Sequence, residues 1–188
     1  MPAGIRGMAP GPELAALLES VDHAAVDPEE MEDLLHARAR QIWHLQAEQM
    51  IDMYLTERSV LERIGTLEPA KLARRHAREY VGWQLRCSAR WAQSQLDLAG
   101  ALLTHFPEVF DAVSAGELDP ARAKAFVELL SPVEDEETAR WLLDRLLPKA
   151  PRWTLPELRE RLRFTSTAKR RRRRGGAIRS VSRSATSS

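Results

Sequence analysis

The sequence predicts an all-α protein: a multi-helix domain with one long N-terminal helix followed by several short, capped helices. Three observations carry this expectation. Apolar residues recur at three- and four-residue spacing, the period of a helix with one covered face. Helix starts are marked one after another, by an acceptor side chain or by a proline in the first turn, at Asp27-Pro28, Ser88, Pro107, Asp119-Pro120 and Thr154. No stretch of useful length alternates apolar and polar residues as a half-covered strand does.

Residues 1–11 are rich in Gly and Pro and read as a disordered lead-in. A short helix is expected over Glu13–Val21. Asp27 then caps, and Pro28 opens, a long helix running to about Thr56, with Glu29, Glu30 and Glu32 near the positive end of its dipole. Met31, Leu34, Leu35, Ile42, Leu45 and Met53 share one face of this helix, together with Arg38 and Gln49. So long an apolar face is not stable in water alone, so we expect it to pack on another helix, of the same chain or of a second copy. Arg38 and Gln49 are expected at its edge, reaching toward solvent.

Further helices are expected over Pro69–Leu85, Ala89–Thr104, Glu108–Ser114, Ala121–Leu130 and Glu134–Leu147. Trp91, Ala92, Leu96, Ala99 and Leu103 form the apolar face of the second of these. Gly116 ends Glu108–Ser114 as a left-handed cap, and Pro148 with Pro151 stops Glu134–Leu147. Thr154 and Glu157 make a capping box for a last helix to about Phe164. Connections are short, so neighbouring helices should pack closely, and residues 12–164 read as one helical domain.

From Thr165 the composition changes to Ser, Thr, Gly and Arg. Residues 165–188 cannot bury enough apolar surface to fold and read as a disordered tail. This tail holds Lys169, Arg170, Arg171, Arg172, Arg173, Arg174, Arg179 and Arg183 and no acid. That leaves 20 of the 28 Lys and Arg against all 27 Asp and Glu in residues 1–164, a net charge of −7. An acidic body argues against a broad phosphate-binding surface.

The apolar share of 44% and charged share of 29% are those of a soluble globular protein. The single cysteine, Cys87, rules out an internal disulfide and any paired-cysteine zinc site, and points to the reducing cytoplasm. No segment approaches the roughly 18 apolar residues of a membrane span, and residues 1–10 do not read as a signal peptide.

Catalytic signals are missing. His23, His36, His44, His76 and His105 include no pair one helical turn apart, and no HExxH occurs, so no metal is expected. There is no GxSxG, GxxxxGK or GxGxxG, so no cofactor or small-molecule substrate is expected either. Acid pairs such as Glu29/Glu30 sit at helix starts, where the dipole accounts for them. Cys87, between Arg86 and Ser88, reads as an inert thiol. The remaining candidates are helix-turn-helix cations: Arg86 and Arg90 around one helix start, Arg122 and Lys124 at another.

Leu85, Ser88, Ala92, Leu96, Ala99, Leu103, Pro107, Ala112, Gly116-Glu117-Leu118, Ala121 and Ala125 together resemble the pattern of the domain of unknown function 222 family, the N-terminal region of the so-called 13E12 repeat proteins. The stretch FPEVFDAVSAGELDPARAKAFVELL carries most of the likeness, and Trp153-Thr154-Leu155-Pro156-Glu157-Leu158-Arg159 resembles the family's usual ending. The likeness covers about residues 28–164 and rests on packing and turn residues. It implies a helical domain normally followed by an HNH endonuclease module, with DNA targeting or assembly as its supposed role. The chain departs from the family at Cys87 and in lacking the clustered His and Asn of an HNH site; it contains no Asn at all. A shifted frame near Phe164 would yield His-Val-Asp-Arg-Glu-Ala, similar to how the family continues. The tail is therefore expected to be a frameshift product that truncates the chain before the nuclease module.

Two functional readings stay open. One is a non-catalytic DNA-targeting or assembly module of an HNH-type protein, touching DNA weakly through Arg86, Arg90, Arg122, Lys124 and the tail cations Lys169–Arg174. The other is a self-associating interaction domain with no nucleic-acid role, a homo-oligomer through residues 28–56. A basic stripe formed by Arg86, Arg90, Arg122 and Lys124 would favour the first, and an exposed apolar row on residues 28–56 the second.

Overall fold

The computed structural model describes residues 4–64 and 69–164. All regular structure among them is helical, with no strand. The helices are α1 (Pro12–Glu19), α2 (Pro28–Ile64), α3 (Ala70–Gln84), α4 (Ala89–His105), α5 (Pro107–Ser114), α6 (Pro120–Leu130), α7 (Glu136–Leu146) and α8 (155–164). The described residues fall into two compact units, divided between Ala123 and Lys124. The sequence-predicted tail, 165–188, lies outside the described residues.

The first unit is built on α2. Asp27 O accepts from Glu30 N and Met31 N, and at this start it is the Glu30 carboxylate that reaches back toward Asp27 N, at 3.5 Å. The helix runs 37 residues, past the expected end at Thr56, and so spans roughly 55 Å at 1.5 Å per residue. Helices α1, α3, α4 and α5 all pack on it. Near its start, Leu34 and Ala37 close a core with Ile5, Leu14 and Leu18. Further along, Met53 meets Val81, Ala92 and Leu96, with Cys87 packed at the edge.

Residues 4–11 are not the disordered lead-in the composition implied. A 3-10 turn over Ile5–Gly7 places Ile5 in the core at 3% exposure. One large apolar group and several backbone acceptors anchor the segment, and counting Gly and Pro does not reveal them.

The long helix also departs from expectation in which face it covers. Of the predicted row, only Leu34 and Met53 are buried, while Met31, Leu35, Ile42 and Leu45 are 40–70% exposed. The covered positions are Leu34, Ala37, Gln41, Ala47, Met50, Met53 and Val60. The covered face follows the partner helices and includes the small or polar Ala37, Gln41 and Ala47 beside the apolar Leu34, Met50, Met53 and Val60.

The second unit contains α7, α8 and the greater part of α6. Phe126, Leu130, Leu142, Leu158 and Leu162 are fully or almost fully buried. Asp135 caps α7 through its Oδ2, which accepts from Thr138 N at 3.0 Å. Thr154 and Glu157 form the expected box at the start of α8, with Thr154 N donating to Glu157 Oε2 at 2.7 Å. Thr154 Oγ1 donates to the same oxygen at 2.8 Å, and these two hydrogen bonds from Thr154 hold the Glu157 carboxyl below the usual carboxylate range. Arg159 ties α8 to α6 through Glu128 at 2.8 Å.

Candidate interaction surfaces

Four places in the described residues have chemistry beyond packing: the seat of α5 on α2, a charged group between α2, α3 and α4, the outer face of α2, and the tip of the α3–α4 hairpin.

The seat joins three segments of the first unit. Arg40 Nη1 donates to Arg6 O and Met8 O at 2.9 and 3.0 Å, and its Nε donates to Gly116 O at 3.3 Å. Gln41 Oε1 accepts from Gly11 N at 2.7 Å. His44 Nδ1 is 2.7 Å from Ser114 O, and a carbonyl only accepts, so that nitrogen carries the proton. The end of α5 comes this close to α2 because Gly116, at φ +66, has no side chain. A Cβ there would lie 2.9 Å from Arg40 Cβ and Arg40 O. Gly116 was legible as a cap, whereas Arg40 and Gln41 were not singled out and His44 was weighed only as a metal ligand; their positions on the side of α2 opposite Leu35 and Ile42 were the available signal.

A charged group spans α2, α3 and α4. Burial raises the Glu57 carboxyl above its ordinary value, Asp97 adds to this, and Arg78 and Arg74 act against it. Arg78 Nη2 is 3.7 Å from Asp97 Oδ1. Among the described residues no group of three His, Cys, Asp or Glu is placed to hold a metal ion, and no helix is long and apolar enough to cross a membrane.

The four helix cations named from the sequence differ in their local surroundings. Arg86 and Arg90 lie together, exposed, at the α3–α4 turn in the first unit. Arg122 is held by Asp119, the residue that caps α6 and accepts from Arg122 N at 3.1 Å. Lys124 belongs to the second unit and approaches Glu128 at 3.9 Å. A helix that starts with an aspartate cap neutralises its own first-turn cation, and the sequence already held that signal. Lys169, Arg170, Arg171, Arg172, Arg173 and Arg174 lie outside the described residues.

On the outer face of α2, Met31, Leu35, Ile42 and Leu45 stand exposed at positions separated by four, seven and three residues. Arg38 and Gln49 continue the same alternation of three and four, the heptad spacing of helices that pair side by side. Arg38 leans inward and donates to Leu18 O at 3.2 Å.

The packing and turn residues from α4 to α6 that suggested a family resemblance thus occupy structural positions: Ala92, Leu96, Leu118 and Ala125 are buried, and Gly116 forms the seat. A family model described as a domain of unknown function (DUF222) matches residues 38–186. The chain belongs to the DUF222 family. No curated protein and no solved structure matches it. The DUF222 match begins within α2, so the first turns of that helix, with Met31 and Leu35, lie before it. It runs on to residue 186, across the segment where a shifted frame was expected, and gives that expectation no support.

Proposed function

We propose that this DUF222 chain is a non-catalytic assembly domain of an HNH-nuclease-type protein and that it joins copies of itself through the outer face of α2. The observation that carries the reading is the exposed heptad-spaced row of Met31, Leu35, Ile42 and Leu45 on a helix already anchored along its opposite side. Exposed apolar side chains in a contiguous row mark an interaction surface, and heptad spacing makes a second helix of the same kind the best-fitting partner. An antiparallel pair centred near Arg40 sets Leu35 of each copy against Leu45 of the other. Polar residues at Arg38 and Gln49 cost affinity and fix the register. The nuclease association rests on the family resemblance alone.

Duplex DNA targeting is the weaker reading. Two of its four helix cations, Arg122 and Lys124, are engaged with acids.

Light scattering over a concentration series tests the proposal. The full chain should rise from 21.3 kDa toward twice that mass. A Leu35→Glu/Ile42→Glu variant should stay monomeric with an unchanged melting temperature, because neither side chain contributes to the folded core. A wild-type chain that remains monomeric at high micromolar concentration would sink the idea.

A further inference from the structure

The tip of the α3–α4 hairpin combines features that its surroundings do not explain. From Tyr80 to Leu96 there is no acid. In that run Trp83 is 75% exposed and Trp91 is 43% exposed, one on each side of the four-residue turn 85–88. Arg86 and Arg90 are exposed, and neither side chain has a hydrogen bond or ion pair among the described residues. Elsewhere in the first unit Arg6, Arg58, Arg75, Arg78 and Arg122 each face a carboxylate, Arg38, Arg40 and Arg63 donate to backbone carbonyls, and Lys71 is exposed without an ion pair among the described residues.

The backbone singles out Arg86 as well. Arg86 N donates to Trp83 O at 3.1 Å and Cys87 N to Gly82 O at 2.9 Å, the two bonds of a Schellman turn. Its left-handed position, φ +50, is occupied by arginine, where glycine would be cheaper by about 1 kcal/mol. The turn sets the conformation but does not require arginine there, and Trp83 and Trp91 flank Arg86 in the sequence.

We propose that this tip binds single-stranded nucleic acid, with Trp83 and Trp91 stacking on unpaired bases and Arg86 and Arg90 contacting the flanking phosphates. Charge complementarity selects an anionic occupant, and the indoles select one with flat, accessible rings. A duplex hides its base faces and would leave both indoles without a stacking partner, so the single strand fits the tip better. A bilayer would meet only two cations and the side chains of Trp83, Trp91 and the partly exposed Leu85 on an otherwise acidic body, less than stable membrane attachment requires. The site is separate from the face of α2 proposed for assembly.

The test uses the full chain with a fluorescent oligothymidine of about 12 nucleotides, the duplex of the same length, and phosphatidylserine vesicles. The tail cations Lys169–Arg174 attract both nucleic acids through phosphate, so the single-strand preference is the informative readout. The wild-type chain should prefer the single strand, with quenching of Trp fluorescence. Trp83→Ala/Trp91→Ala should lose roughly tenfold or more in single-strand affinity, keep its duplex affinity, and retain its circular dichroism. Arg86→Gly should lower the salt slope for the single strand by about one and raise the melting temperature. Equal affinity for both nucleic acids, no effect of the double Trp substitution, or Trp83-dependent binding to the vesicles alone would each overturn the proposal.

Discussion

Gly116 shows how much one missing Cβ decides in this protein. Gly116→Ala meets two costs at once. The left-handed backbone disfavours any L side chain by about 1–2 kcal/mol, and the added methyl has to displace Arg40 from 2.9 Å. A loss of roughly 2–4 kcal/mol in chemical denaturation is expected. Glu57 belongs to the same scale. Its folded-state pKa is raised, chiefly by burial, so the folded form favours the protonated acid. The resulting stabilisation is full below the unfolded value near 4.5 and is lost as pH rises through the folded value. Melting temperatures from pH 4 to pH 7 should therefore favour Glu57→Gln over the wild type increasingly toward neutrality. A constant difference across that range would contradict the burial argument.

At the level of elements, α2 separates what the sequence made legible from what it did not. The helix itself, its Asp27-Pro28 start, and the caps at Ser88, Asp119 and Thr154 were readable, because caps are local chemistry between residues two or three apart. Its covered face was not. Hydrophobic periodicity selects the largest apolar side chains, whereas helices that approach closely cover small ones: Ala37 and Ala47 are fully buried, and Leu35 is 70% exposed. The face on α4 shows the same effect, with Trp91 chosen for its size and found 43% exposed. The candidate surfaces were legible only in part, for the same reason. Arg86 and Arg90 could be named, but Trp91 read as part of an apolar face and Trp83 carried no signal of its own. A paired substitution checks this account. Ala37→Leu should overpack the core with α1 and cost about 1–3 kcal/mol, while Leu45→Ala should change the stability of the monomer by no more than about 0.5 kcal/mol. The reverse order would restore the face expected from periodicity.

For the molecule as a whole, the boundary after Ala123 falls inside α6, which explains why composition gave no sign of it. Linkers rich in Gly, Pro or Ser are the usual signal, and here a regular helix carries the chain from one unit into the next. The seat of Gly116 on Arg40 has a consequence in time as well as in energy. Its two residues are 76 positions apart, whereas α3 and α4 are consecutive along the chain. Closing so long a loop is entropically slow unless the intervening helices have already shortened it. The contact should therefore form late, after the α3–α4 hairpin has docked on α2. A late contact is absent from the folding transition state, so Gly116→Ala should leave the refolding rate nearly unchanged and express its cost as faster unfolding. The seat would then act as a latch that sets the lifetime of the native state and has little influence on how quickly that state is reached.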